Sequence, residues 1–281
     1  ESLIKLVFKG KLIKSYKPRY REGGIKIFLD GSPQAKTAWL KKPYHKSPSN
    51  QPNDYKGYPI HEDVRQLEKF YKIAIDNNIQ ILTHANGDAA SEQLISAYEK
   101  GLETRKKDLR PVMIHAQTVT EDQIKRMSRI GMFASFYELH TFFWGDWHYE
   151  SVLGPKRSEN ISPVGWAKKH NVRYSLHTDS PVLPMDSSWL IWSSLNRKTR
   201  TGRILGEEHN IDIYESLHVL TYESAYQHHE ENVKGLLKAG YRADFLIVDK
   251  ILYDKQFMRK NLVIYKTYKN GKIVYSRDGS Q

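Results

Sequence analysis

The stretch Ile79-Gln80-Ile81-Leu82-Thr83-His84 decides the fold of this 281-residue chain. It is almost continuously apolar, the pattern of a parallel strand covered on both faces, and it ends on a histidine. Beyond it, Leu94, Ile95 and Tyr98 recur at helical spacing, so a strand is followed by an amphipathic helix. The same unit repeats outward in both directions. Strands are predicted over residues 25–29, 111–115, 131–137 and 174–179, and each carries a residue able to bind a metal or to sit beside one. A parallel barrel gathers the C-terminal ends of its strands at one face, so residues far apart in sequence can serve one ion there.

Helices fill the intervals. From about Glu62, the residues Val64, Leu67, Tyr71 and Ala74 make one apolar face. Thr120-Glu121-Asp122-Gln123 reads as a capping box, in which the Thr hydroxyl and the Gln amide satisfy free amides at a helix start; Ile124, Met127 and Ile130 then face the core. Further helices are expected over residues 163–170 and 212–227, with an aromatic loop ahead of the first. The segment 41–58, rich in Lys, Pro, Ser and Asn, is too long for a simple connector and is a candidate for lining a site. Five strand and helix units are legible, whereas a closed barrel needs eight. The C-terminal part changes character: residues 245–248, 262–267 and 272–275 are β-prone, and Asn270-Gly271 predicts a tight hairpin because both residues accept positive φ.

Composition narrows the function classes without choosing one. Forty-four Lys and Arg against 32 Asp and Glu give a net charge of +12, which favours anionic partners. The basic residues are spread along the chain with no recognition motif, so a solvated lysine-rich surface outweighs nucleic-acid binding. There is no cysteine, hence no disulfide framework and no thiolate metal site. Any metal must use His, carboxylate or modified Lys. No apolar run reaches the ~20 residues of a membrane span, and the N-terminus lacks the form of a secretory signal. No membrane partner is expected, and the cytoplasm is the default location of a soluble chain.

Seven motifs then follow one another in a telling order. They are Ile25-Lys26-Ile27-Phe28-Leu29-Asp30-Gly31-Ser32 with Thr37-Ala38, Thr83-His84-Ala85-Asn86-Gly87-Asp88-Ala89, Ile114-His115-Ala116-Gln117 and His140-Thr141-Phe142-Phe143-Trp144-Gly145-Asp146. Next come Leu176-His177-Thr178-Asp179-Ser180-Pro181-Val182, Arg197-Lys198-Thr199-Arg200-Thr201-Gly202, and Lys234-Gly235-Leu236 with Gly240, Ala243 and Asp244. In this order they resemble the second half of an amidohydrolase-superfamily enzyme, in the branch (amidohydrolase family 3) that includes N-substituted formamide deformylase.

The resemblance implies an α/β fold: a partial (β/α) barrel of the TIM type, about strands 4 to 8, with a small C-terminal β element. Residues 1–230 would form the partial barrel and 231–281 the C-terminal part of a small β-sandwich domain. Lys26, on the fourth strand, would hold the position that is often carboxylated to bridge two metals. His84 on the fifth strand and His115 on the sixth would be ligands, and Asp179 on the eighth would bind metal or manage protons. His140, Trp144 and His177 would orient substrate. The implied cofactor is a divalent metal, zinc, as one or two ions. The implied reaction is hydrolysis of a non-peptide carbon–nitrogen bond in a small-molecule amide or formamide by metal-activated water.

Each residue has a plainer reading as well. A histidine ending an apolar strand is often only hydrogen-bonded at a loop. Lys26 could be a buried lysine paired with Asp30, or point to solvent; Asp179 could cap its Asp-Ser-Pro turn. The cluster Phe136, Tyr137, Phe142, Phe143, Trp144 and Trp147 reads equally as core or substrate wall. His228-His229-Glu230 reads as a solvated helix end, and Arg197, Lys198 and Arg200 as a solvated turn rather than an anion site. One departure is marked: no His-X-His pair, expected on a first strand, occurs in the 281 residues. The expectation is a truncated piece with an incomplete metal site, weak metal affinity, little activity, and exposed strand edges through which copies associate. A catalytically inactive scaffold or binding module of the same fold, and less so a basic nucleic-acid-binding protein, are the competing functions.

Overall fold

The computed structural model describes residues 16–17, 20–102, 108–249 and 262–279. Its strands fall where the apolar stretches predict them: β1 (Ile25–Phe28), β2 (Ile81–Ala85), β3 (Val112–His115), β4 (Phe133–Phe136) and β5 (Tyr174–Leu176). They form a five-stranded sheet whose strand order is the chain order. From β1 to β4 the pairing is parallel, with Phe28 opposite His84, His84 opposite Ile114 and His115 opposite Phe136. Helices α1 (Val64–Asp76), α2 (Asp88–Leu102) and α3 (Glu121–Arg129) follow the first three strands in turn. Between β4 and β5 lie α4 (His140–Trp147), α5 (Pro155–Ser158) and α6 (Val164–Lys169), and after β5 come α7 (Ser187–Asn196) and α8 (Ile213–Gln227). An α/β fold with a sequentially ordered parallel sheet is what the sequence implies.

Two compact units divide these elements. The first holds β1 to β4 with α1, α2, α3, α5 and α6; the second holds α4 as far as Asp146, then β5, α7, α8 and the C-terminal sheet. In the first, α1 buries Leu67, Tyr71, Ala74 and Ile75, each large apolar side chain stabilising the fold by roughly 1.5–3 kcal/mol. Val64, expected on that face, is exposed at the first turn. The Tyr71 hydroxyl is 2.8 Å from Thr83 Oγ1, tying helix to strand. Gly101 lets α1 and α2 approach, since a Cβ there would come within 2.8 Å of Ile75. The capping box forms: Gln123 N donates to Thr120 Oγ1 at 3.4 Å, and Thr120 N donates to Gln123 Oε1 at 2.9 Å.

In the second unit α8 packs on β5, with Ser175 Oγ donating to Gln227 Oε1 at 2.7 Å. The C-terminal sheet is antiparallel, in the order β6 (Phe245–Val248), β7 (Ile264–Lys269) and β8 (Lys272–Ser276). Its hairpin turns at Asn270 and Gly271 with φ of +50° and +76°, as the Asn-Gly pair demands. Among the described residues no helix is long and apolar enough to cross a membrane.

Two expectations are corrected. The aromatic stretch ahead of residue 163 is not a loop, because residues 140–147 form α4; a helix apolar on most sides carries no periodic signal to read. The same is true of α7, whose Asp186 cap was nonetheless there to see, accepting from Ser188 N at 2.9 Å. Arg197 is not in a solvated turn either. It is fully buried and left-handed (φ +45°), with Nη1 donating to Glu138 Oε1 at 2.8 Å and Nε to the Leu205 carbonyl at 2.6 Å. Burial pushes the Glu138 carboxyl up to about 7, against the pull of Arg197. Lys198 and Arg200 are exposed, and so are His228 and His229.

His148 is wholly buried, its Nε2 3.2 Å from Gln117 Nε2, and burial pushes its pKa from 6.5 down to about 3. The unfolded chain therefore binds the extra proton between these values, so the contribution of neutral His148 is whole above pH 6.5 and lost as pH falls toward 3. Urea unfolding should show wild-type stability falling below pH 6 by about 1.4 kcal/mol per pH unit more than in His148→Gln. Thr120→Ala should cost about 1 kcal/mol at neutral pH in the same measurement.

Candidate metal centre

Beyond β1 the chain delivers Asp30, which is 1% exposed. Its carboxylate accepts three main-chain N–H groups, from Trp39 at 3.0 Å, Asn86 at 3.0 Å and Gly87 at 2.7 Å. Burial pushes its pKa up to about 7 while the three amides pull it down. The loop after β2 is thereby clamped to the end of β1. Gly87 is required there, since a Cβ would lie 1.8 Å from the Trp39 carbonyl oxygen.

That clamp positions His84. Its Nε2 is 3.6 Å from Asp30 Oδ1 and 3.1 Å from the Gly31 carbonyl, and the Asn86 amide nitrogen is 3.0 Å away. The Nδ1 side of the ring faces His115 Nε2 at 3.1 Å, with ring centroids 4.5 Å apart at 78°. Two imidazole nitrogens on one tetrahedral zinc, at about 2.0–2.1 Å each, would be separated by about 3.3 Å, so this pair fits a shared ion. The tautomer that donates Nε2–H to Gly31 leaves the Nδ1 lone pair available, the usual outer-shell arrangement of a ligand histidine. His115 is buried and has φ +74°, followed by Ala116 at +46°. A non-glycine residue held there costs of order 1–3 kcal/mol, and such outliers cluster at functional sites.

Lys26 is exposed, its Nζ 4.9 Å from the Phe28 ring centroid. The pairing with Asp30 is not formed, because the Asp30 oxygens are taken by amides. Lys26 and Phe28 share one face of β1, and the Phe28 ring lies 5.1 Å from that of His84.

The second unit contributes its own cluster. Tyr137, at the exit of β4, is 5.5 Å from the rings of both His140 (23°) and His177 (10°), and 6.3 Å from Trp144. Burial and the nearby Asp179 charge hold the Tyr137 phenol well above its ordinary pKa. His140 is fully buried, while Trp144, His177 and Asp179 are half-buried. Asp179 also takes positive φ (+55°). Its carbonyl accepts Val182 N at 2.8 Å, so main chain closes the turn and the carboxylate does not serve as the cap. Of the aromatic cluster, Phe136 is core and Trp147 is exposed, donating to the Gln34 carbonyl at 3.0 Å. Asp30, named in the sequence only as a partner for Lys26, and Tyr137, named only as one of an aromatic cluster, are positioning residues, and the further signal for each is that it follows a strand.

Two imidazoles thus stand together at the ends of two neighbouring parallel strands. The Amidohydrolase family model matches residues 8–275, and the chain belongs to that family. Amidohydrolase YtcJ of Bacillus subtilis (strain 168) is 28% identical over 265 residues, covering 92% of this chain and 48% of that protein. N-substituted formamide deformylase of Arthrobacter pascens is 26% identical over 208 residues, covering 72% and 38%. An uncharacterized metal-dependent hydrolase from Pyrococcus furiosus shares the fold with a TM-score of 0.72 at 24% identity, over 86% of this chain and 47% of that one. The chain spans about half, or less, of the length of these relatives.

Asp30→Ala leaves three buried amides unpaired and should destabilise the fold by about 3 kcal/mol or more, with Asp30→Asn costing less. Chemical denaturation of the two variants beside wild type checks the order.

Proposed function

We propose that this chain carries part of the site of a metal-dependent amidohydrolase that hydrolyses a non-peptide carbon–nitrogen bond, of the amide or formamide type, in a small molecule. The observation that carries the reading is the His84–His115 pair, two imidazoles whose facing nitrogens are 3.1 Å apart. Membership of the Amidohydrolase family supports it, as does the positive φ at both His115 and Asp179. In this reading His84 and His115 hold the ion, and the resemblance to the family assigns Asp179 to the same ion. Two or more imidazoles with a carboxylate and no thiolate suit zinc. Lys26 joins the set only as a carbamate, because its ammonium is a cation.

A bound divalent ion supplies Lewis-acid polarisation of the carbonyl and a lowered pKa for water. The residues supply the rest. An Asp179 oxygen takes the proton of the attacking water and delivers it to the leaving nitrogen as the C–N bond breaks and the new C–O bond remains. Tyr137 fixes the His177 ring by stacking, and His140, fully buried, backs Tyr137 instead of touching substrate. Trp144 lines the substrate. Among the described residues β1 is at an edge of its sheet, and this reading includes pairing between copies along it.

The test is release of amine from N-substituted formamides, with a dipeptide as the peptide-bond control, by the zinc-loaded chain. Turnover of formamide but not dipeptide is expected, abolished by chelator, restored by zinc, and reduced about 10²-fold or more in Asp179→Asn. Activity indifferent to chelator would contradict the reading, and zinc binding with no turnover would favour the inactive scaffold.

A further inference from the structure

We propose that the cleft between the segment after β1 and the start of α5 binds a small organic phosphate, a monoester whose dianionic head meets Lys42, Lys156 and Arg157. The cleft is about 460 Å³, with Tyr44, His45 and Leu153 among its other walls, and it lies wholly in the first compact unit. That volume is in the range of small-molecule pockets. No acidic residue lines it, so its formal charge is at least three positive. None of its lining residues takes part in the proposed metal site, and the inference stands whether or not the chain is a hydrolase. Residues 42–45 belong to the segment whose length marks it as more than a connector.

Arg157 is the anchor. It is half-buried, with Nε donating to the Leu153 carbonyl at 2.8 Å, Nη2 to that of Pro43 at 2.7 Å and Nη1 to that of Lys42 at 3.4 Å. These bonds occupy three of its five N–H groups and fix the plane of the guanidinium. All three acceptors are neutral. Arg126 and Arg197, by contrast, are each paired with glutamate. Among the described residues no carboxylate lies within ion-pairing distance of Arg157, or of the exposed Lys42 and Lys156. Asp88, whose charge Arg157 feels, instead accepts the Lys41 main-chain N–H at 2.8 Å. Burial accordingly pushes the Arg157 guanidinium below its ordinary pKa. A planar fork with two spare N–H groups, flanked by two unpaired ammonium groups, matches the oxygens of a phosphate.

The walls are set before any ligand arrives. His45 N donates to the Val152 carbonyl and Lys46 N to that of Ser151, both at 2.9 Å, so the two sides of the cleft are joined by main chain. Tyr44 Oη donates to the Ala38 carbonyl at 2.7 Å, and the His45 ring packs on Gly154, where a Cβ would come within 2.8 Å of it. Binding to such a preformed cleft costs little ordering, and the apolar Tyr44 and Leu153 walls favour a phosphate that carries an organic group over a bare ion.

Calorimetric titration of the full chain at physiological ionic strength with phenyl phosphate and with phenol, which differ only in the phosphoryl group, tests this. Phenyl phosphate should bind about tenfold tighter or more. The double variant Lys42→Ala with Lys156→Ala should weaken phenyl phosphate about tenfold and leave phenol unchanged. Lys72→Ala with Lys100→Ala removes the same charge from lysines paired elsewhere on the surface, and screening should hold its effect to about twofold. All four positions are exposed, so these variants keep the fold. The His45 ring resonance, assigned with His45→Gln, should move with phenyl phosphate only. Equal affinities for the two ligands, equal losses in the two double variants or an unmoved His45 resonance would overturn the proposal. Tighter binding of a DNA strand of about ten nucleotides than of phenyl phosphate would overturn it in favour of a nucleic-acid surface.

Discussion

Three main-chain amides, of Trp39, Asn86 and Gly87, converge on the two oxygens of Asp30. They come from two segments: the strap that follows β1 and the loop that follows β2. A single buried carboxylate thus fixes the end of β1, the course of the strap and the exit of β2 at once. Charge-assisted hydrogen bonds of this kind are about twice as strong as neutral ones, and together they offset part of the cost of burying the charge, which still holds the carboxyl above its ordinary pKa. His84 inherits its place from this arrangement, because the Gly31 carbonyl that orients its ring follows Asp30 directly. Without the clamp, the imidazole would end a strand with nothing to set its direction.

Strain and rigidity are distributed with the same logic. His115 and Asp179 occupy left-handed backbone, a cost the surrounding fold must over-determine. Around them the support is stiff: Tyr71 against Thr83 under β2, and the fully buried Glu138–Arg197 pair beside Tyr137. A buried ion pair is weak evidence for stability in itself. Here it pins the segment that presents Tyr137 to His177, which is a matter of orientation.

Much of this was legible in the sequence. Continuous apolar stretches located all five strands, the 3.6-residue period located α1, α2 and α3, and Asn-Gly located the β7–β8 hairpin. What escaped had a physical reason. Helices α4 and α7 are aromatic or small-polar on several sides and show no clean period. Arg197 stands in a basic run that reads as solvated, yet its partner Glu138 lies 59 positions away, and no local pattern announces a long-range pair. His84 and His115, which end apolar strands, could be picked as ligand candidates through the resemblance to the family. Asp30 could not, since an Asp-Gly after a strand reads as turn chemistry; only the three amides arriving from elsewhere reveal its function.

The central claim is that the facing nitrogens of His84 and His115 are one edge of a metal site. Anomalous diffraction at the zinc edge, from crystals grown with the metal, tests it most directly. The account predicts an ion about 2.0–2.1 Å from His84 Nδ1 and His115 Nε2. An ion found only on surface histidines such as His228 and His229, with His84 Nδ1 and His115 Nε2 still 3.1 Å apart and hydrogen-bonded to each other, would contradict it.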